Sequence, residues 1–386
     1  MTNCSLKTLQ GIAMLSSFAI GFAQKAETKA MVASKPAIKI RSLDLAHVEP
    51  LLGLPLSTAV GYPEFCSSDG TIFSEVYAVA DKGGVADFPD IYSISEQREV
   101  KKVNLPLPVG YKQVSLRSLY SSARQVVALV QVSQPNLPDP SLGKASMVSY
   151  LSMVDRDGAD PELVRLELGF QPMKVAIFDS GQLLVLGVDL ANSLPVLALV
   201  HEDGTLQKII DLDARTYTVS RELSQTYTHK ANDTNTIAMQ RPILGALTKA
   251  QLVAWGTEVV LVQPGSSLPV YRIHDSGQIE TVTINPPDGF LLEALLGSSE
   301  KDSWVIVTSD ASAFGRVASG GVAENPAEHL FEVDPYTGEL IDQLQVKGPQ
   351  PGEVSCGAHG KLSLNYYGLP AGADGADRLT YASAPR

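Results

Sequence analysis

The sequence is poor in the residues that many activities depend on. Aromatic residues are 6% of the 386, and only two are tryptophan, which leaves little for the stacked rings of a sugar-binding surface. Charged residues are 19%, below the ~25% of an average globular chain. Lysine and arginine number 30 against 42 acidic residues, a net charge of −12. The clustered cations that grip a nucleic-acid backbone are therefore missing. No apolar run reaches the roughly 18–20 residues that span a bilayer. Absent too are the Gly-x-Ser-x-Gly elbow, His-Glu-x-x-His, Cys-x-x-Cys and the Gly-x-x-x-x-Gly-Lys loop that cradles phosphate. The histidines (His47, His201, His229, His274, His329 and His359) have no metal-ligand spacing. What remains is 44% hydrophobic, enough to bury a core.

The N-terminus reads as an export signal. Lys7 supplies a positive start, Gly11 to Ala23 is an uncharged apolar run, and Gly21 and Ala23 put small residues where signal peptidase reads. Cleavage near Ala23 removes residues 1–23, leaves a polar leader over 24–36, and delivers the protein to the periplasm or the outside of the cell. Cys4 precedes the apolar run and so is not a lipid-bearing cysteine. Its loss leaves Cys66 and Cys356. In an oxidising compartment a lone pair is a disulfide candidate, with two buried thiols as the alternative.

One pattern recurs along the chain: a β-rich run, a turn rich in Asp and Gly, then a second β-rich run. It is seen as SMVDRDGADPELVRLEL (152–168), LALVHEDGTLQKIIDLD (197–213), VYRIHDSGQIETVTI (270–284) and LFEVDPYTGELIDQLQV (330–346), with a weaker copy at 91–105. Apolar residues alternate up to each turn, and Gly158, Gly204, Gly277 and Gly338 supply the positive φ of a tight hairpin. Each hairpin follows another pair of strand-like runs, clearest in VAIFDSGQLLVLGVD (175–189). Two hairpins in succession make four antiparallel strands, the blade of a β-propeller.

Five complete units run through 63–107, 112–168, 172–213, 250–285 and 291–346. A sixth begins at 354–368, continues through 376–384 and ends one strand short. Residues 37–46 (AIKIRSLDLA) form a strand without a partner and resemble the strand that ends the third unit. Joined to the C-terminal strands, they would complete the last blade and remove its unpaired edges. The expected fold is an all-β, six-bladed propeller over 37–386, or seven blades if 214–248 holds a degenerate unit. A β-sandwich with a separate second domain is the competing architecture. In a closed ring Cys66 and Cys356 stand at equivalent positions before the turns of the first and last blades. A bond there would clip the seam, contributing about 2–4 kcal/mol by the chain-entropy model.

Two insertions break the pattern, a Thr-rich stretch at 214–248 and a Gly- and Ala-rich one at 311–327. Long connections in compact folds are often binding elements or lids, although a tolerated surface excursion explains them equally well. Asn232-Asp233-Thr234 spells a glycosylation acceptor. His201 and His274 fall where Asp155 and Asp334 sit in other repeats, which points to turn capping rather than metal ligation. Asp155-x-Asp157-Gly158-x-Asp160 looks like the start of a calcium loop, but Ala159 and Leu166 replace oxygen ligands, so a plain hairpin is expected. Residues 371–377 (AGADGAD) form an acidic loop that could bind a cation weakly. Trp255 and Trp304 lie in strand-like runs and read as core. Tyr366 and Tyr367, beside the seam, are the only adjacent aromatic pair and are candidates for a binding surface.

The export signal, the Asp/Gly hairpins and the ring closure together resemble the broad class of secreted bacterial six-bladed β-propellers, which includes NHL-repeat proteins and the gluconolactonase/regucalcin group. The resemblance is one of architecture and covers nearly the whole mature chain. None of the lactonase group's metal-binding carboxylates and amides matches a position here, so no catalytic residue is carried over. The missing catalytic motifs, the low aromatic content and the irregular blades favour a binding or scaffold propeller for a protein, peptide or small ligand, with no cofactor. The alternative is a metal-dependent, lactonase-like hydrolase or lyase with a divalent cation in the central channel. Fold does not decide between them.

Overall fold

Strand identity follows the hydrophobic pattern throughout. In a computed structural model the described residues are 38–44, 48–50, 59–78, 88–97, 99–111, 113–133, 147–189, 194–210, 250–263, 269–296, 303–310, 329–347, 353–356, 361–369 and 378–385. The signal and leader (1–36), the whole of the 214–248 and 311–327 insertions, Asn232 among them, and the 371–377 loop lie outside them. Among the described residues there is no helix, and hence none long and apolar enough to cross a membrane.

The strands form six sheets. Five are propeller blades, each a run of four consecutive strands. The first is β3 (Ala59–Cys66), β4 (Ile72–Ala78), β5 (Asp90–Ile94) and β6 (Val100–Val103). The second is β7 (Val114–Ser121), β8 (Gln125–Ser133), β9 (Met147–Asp155) and β10 (Glu162–Arg165). The third is β11 (Gln171–Ile177), β12 (Leu183–Asp189), β13 (Leu194–Val200) and β14 (Leu206–Ile210). The fourth is β15 (Gln251–Trp255), β16 (Glu258–Val262), β17 (Pro269–Ile273) and β18 (Ile279–Thr283). The fifth is β19 (Phe290–Leu295), β20 (Trp304–Asp310), β21 (His329–Val333) and β22 (Leu340–Lys347).

The units read from the sequence match these blades closely. Middle strands such as β16 are buried at every position, whereas the outermost β14 is exposed at all but Ile210. This is the difference between a strand packed on both faces and one at a sheet edge. Trp255 and Trp304 are buried and meet edge to face at 5.5 Å between centroids, joining blades four and five.

The sixth sheet draws on both ends of the described chain: β23 (Glu353–Cys356), β24 (Lys361–Leu369), β25 (Arg378–Pro385) and, outermost, β2 (Val48–Pro50). This corrects the expectation that 37–46 completes the C-terminal strands. Within that stretch β1 (Lys39–Asp44) pairs parallel with β22, from Lys39 opposite Asp342 to Asp44 opposite Lys347. Its backbone groups are therefore spent on the edge of blade five. The strand that reaches β25 is the next one, Val48–Pro50, running antiparallel to Thr380–Ala382.

Each blade's first-to-second and third-to-fourth connections lie at one end of the ring, since its strands alternate in direction. The second-to-third and blade-to-blade connections lie at the other. The first group, the hairpin end, carries the Asp/Gly turns. In five of them the amide of the first turn residue bonds the carbonyl four residues on, and the glycine amide bonds back: Ser67 with Thr71 and Gly70, Asp155 with Ala159 and Gly158, Phe178 with Gln182 and Gly181, His201 with Thr205 and Gly204, and His274 with Gln278 and Gly277. The side-chain cap comes two residues later than the His and Asp positions suggested. Asp69, Asp157 and Asp203 accept the amides of Thr71, Ala159 and Thr205. Asp334, in a turn one residue longer, caps from the first position, accepting from Tyr336 and Thr337. The calcium-like segment is a plain hairpin, as expected.

These turns also fasten blade to blade. Gly204 of blade three lies against Val164 and Arg165 of blade two, Gly277 of blade four against Leu199 and Ile210 of blade three, and Gly338 of blade five against Val282 and Thr283 of blade four. A Cβ on Gly338 would collide with the Thr283 carbonyl oxygen. Charged clasps add to this. Arg156 of blade two reaches Asp69 at 3.0 Å and the Thr71 hydroxyl at 2.7 Å in blade one. Burial opposes the Asp69 charge, but the Ser67 hydroxyl and Arg156 hold its carboxyl below the usual range. Arg272 is sandwiched between Trp255 and Tyr336, 4.6 and 4.8 Å from the ring centroids, and bonds Glu258 through two nitrogens at 2.9 and 3.1 Å.

Gly338→Ala and Gly158→Ala separate the two roles of glycine. Both have positive φ, 74° and 90°, but nothing lies within 4 Å of the Cβ position at Gly158. In urea unfolding, Gly158→Ala should cost about 1–2 kcal/mol for its backbone conformation alone. Gly338→Ala should cost roughly 3 kcal/mol or more, because overpacking against rigid backbone adds to it. Equal losses would show that the turns do not fasten the blades.

Candidate functional site

The end opposite the Asp/Gly turns carries a polar site built on blades two and three. In the innermost strand β7 the register to β8 skips Arg117, between Leu116 and Ser118. Such a bulge bends the strand and re-aims the side chain at it, and Arg117 is exposed while Ser118 is buried. The Arg117 Nε donates to Gln131 Oε1 at 2.8 Å. Gln131, on β8, is 3% exposed, and its Nε2 donates to the Ser149 hydroxyl at 3.3 Å and the Pro172 carbonyl at 3.0 Å. A carbonyl only accepts, so the bond to Pro172 fixes which way the amide faces and turns Oε1 toward Arg117. Gln171, at the start of β11, donates to the same Ser149 hydroxyl at 3.2 Å.

Among the described residues, only the weak contact from Nη2 to Met147 Sδ, at 3.7 Å, engages the outer edge of the guanidinium. Among the described residues no carboxylate pairs with it. Beside this network, sharing Met147, Ser149 and Gln171, lies a cavity of about 320 Å³ whose other walls include Val148, Leu166 and Phe170. A cation held by buried hydrogen bonds next to an apolar hollow can orient an anionic group and hold an apolar one beside it.

A second polar group lies in the first blade. Glu75, on β4, is buried and accepts from the Tyr77 hydroxyl at 2.6 Å. Burial pushes its carboxyl above the ordinary value, against the pull of Tyr77 and of the Lys174 charge on β11. A raised carboxyl of this kind is common at functional sites and also in structural networks.

The hairpin end holds a larger cleft of about 540 Å³, lined in part by Arg124, Asp155, Arg156, Asp157, Asp179 and Glu202. Much of its polar wall already works as a fastener: Arg156 holds Asp69, Asp157 caps its own turn, and Asp179 accepts the Ala123 amide of the preceding blade at 2.8 Å.

Cys66 and Cys356 end β3 and β23, innermost strands of the first and last sheets, which lie side by side. Tyr366, on β24, pairs with Thr380, and Tyr367 follows where the register to β25 shifts. Their side chains lie outside the described residues, and their sheet is not the one that carries Arg117. His274 is drawn into the blade-four brace, 3.8 Å from Glu258 and 3.7 Å from Glu280. Among the described residues no three His, Cys, Asp or Glu side chains are grouped to hold a metal ion.

No protein-family model matches the chain, and no curated protein matches it. Among solved structures it is similar to dipeptidyl peptidase 4 of Porphyromonas gingivalis at 11% identity, covering 81% of this chain and 47% of that one, with a TM-score of 0.40. It is similar to Trypanosoma rangeli sialidase at 9% identity over 83% and 54%, TM-score 0.39. It is also similar to the β-propeller domain of the trilobed protease from Pyrococcus furiosus at 10% identity over 81% and 80%, TM-score 0.37. The chain spans about half the length of the first two.

The Glu75 environment sets a pH signature. A carboxyl whose folded pKa lies above its unfolded value binds its proton more tightly in the folded state, so it favours folding in acid. That advantage is lost as pH rises through the folded pKa. Glu75→Gln should therefore raise the melting temperature at pH 8 and leave it nearly unchanged at pH 4. A stabilisation that is larger at pH 4 would contradict the burial argument.

Proposed function

We propose that the protein is an exported propeller that acts as a binding or scaffold module, taking a protein, peptide or small ligand at the loop end of its ring. The observation that carries this reading is the inequality of the two ends. At the hairpin end no connection between strands exceeds eight residues, while at the loop end β14 and β15 are separated by 40 and β20 and β21 by 18. Both sequence insertions leave from this end, where binding residues can vary without disturbing the blade contacts. The Arg117 network and its cavity open at the same end.

The sheet of β2 and β23–β25 is read as the sixth blade, completing the class of secreted six-bladed propellers that the sequence resembles. Removal of residues 1–23 on export is part of the same reading, carried by Lys7, the apolar run Gly11 to Ala23 and the small residues Gly21 and Ala23. A Cys66–Cys356 disulfide is part of this reading. It is supported by the neighbouring placement of β3 and β23, whose ends carry the two cysteines.

A photo-cross-linking amino acid at Val109, which is 91% exposed in the loop-end connection between β6 and β7, tests the assignment against one at Asp157 in a hairpin-end turn. In the cell envelope of the producing organism, discrete adducts are expected from position 109 and none from 157. Adducts from 157 alone would put the working face at the other end. No adduct at either position would overturn a macromolecular partner.

A further inference from the structure

The geometry points to a specific ligand chemistry at this site: Arg117 and the adjoining cavity receive the free carboxylate and apolar side chain of a peptide's C-terminal residue. The inference rests on the loop-end reading above and goes further, naming what is bound and by which atoms.

Three observations converge on it. First, the Arg117 guanidinium is positioned in advance. Its Nε is committed to Gln131, and Gln131 is 3% exposed with both amide atoms occupied, by Arg117 on one side and by Ser149 and the Pro172 carbonyl on the other. Little side-chain freedom then remains to be lost when a ligand arrives. Second, the remaining edge of the fork has no anionic partner among the described residues, only the Met147 sulfur. A guanidinium edge presents two parallel N–H donors, the spacing that a carboxylate accepts through both oxygens. Third, the neighbouring cavity of about 320 Å³ joins apolar walls from Val148, Leu166 and Phe170 to polar groups of Ser149, Gln171 and Glu167. An apolar side chain fits the former, and the amides of an extended chain can bond the latter. A bare inorganic anion would use the arginine and leave the apolar wall wet, whereas an uncharged apolar ligand would leave the guanidinium without its anion. A terminal residue satisfies both.

Titration calorimetry of the full mature protein tests this with three probes: acetyl-Ala-Ala-Leu with a free carboxylate, the same peptide as its C-terminal amide, and acetyl-leucine. The free acid is expected to bind saturably and at least tenfold more tightly than the amide. Acetyl-leucine should bind more weakly than the peptide acid, and equal binding would make a single amino acid, not a peptide, the ligand. Arg117→Gln should remove the preference for the acid while the melting temperature stays that of the parent. Arg117→Lys, which keeps the charge and loses the fork, should keep only part of the preference and serves if the glutamine variant does not fold. Equal binding of acid and amide, or a preference that survives Arg117→Gln, overturns the inference while leaving peptide binding at the loop end intact. No binding of any probe at millimolar concentration overturns it as well, and the loop-end reading is then judged by cross-linking alone.

Discussion

The described strands form a ring only if its first and last sheets meet, and that junction is the one contact the chain cannot make by simply running on to the next blade. Between successive blades the covalent connection brings strands together. At the seam, β3 and β23 are joined by no short connection, and β2 must return to cover the edge of β25. An unpaired β25 would present a row of free amides and carbonyls, open to aggregation. The N-terminal segment covers two edges in succession, β22 by parallel pairing and β25 by antiparallel pairing. The same few residues therefore bridge the fifth and last sheets at their outer edges, while Cys66 and Cys356 face the corresponding problem on the inside.

Once the ring is closed, the asymmetry between its ends follows from packing. On the hairpin end the turns of blades three, four and five press against outer strands of the blade before them, and Gly338 leaves no room for even a methyl group. Arg156 and Arg272 tie other turns together through charge and ring contacts. A surface fixed in this way tolerates little variation in length. At the opposite end the side chains around Arg117 are held by hydrogen bonds that run from blade two to blade three, Gln131 to the Pro172 carbonyl and Gln171 to the Ser149 hydroxyl.

Much of the architecture was legible because it rests on local signals. Alternating runs and Asp/Gly turns located the five blades to within a few residues, and Trp255 and Trp304 were read as core from their strand context. The partner of the N-terminal strand was not legible. AIKIRSLDLA looks like an outer strand, and its Lys39–Asp44 portion is one, but whether it lies on β22 or β25 depends on where the ring places those edges, which no local pattern records. The turn caps were misplaced by two residues because His201 and His274 share a repeat position with Asp155, while the capping oxygens come from Asp157 and Asp203. Arg117 was missed for a related reason. A bulge is a mismatch between two strands, so neither strand shows it alone. The only trace is an arginine interrupting VSLRSLY inside a buried strand. Gln131, Ser149 and Gln171 join it from three other strands, and their convergence is a property of the folded ring.

The most direct test of this account is the seam itself, examined by peptide mapping of the exported protein without reduction. The account predicts one cross-linked pair of peptides, containing Cys66 and Cys356, that separates on reduction. Two free thiols in the mature protein would show that the ring is not clipped there and would contradict the disulfide proposed for the seam.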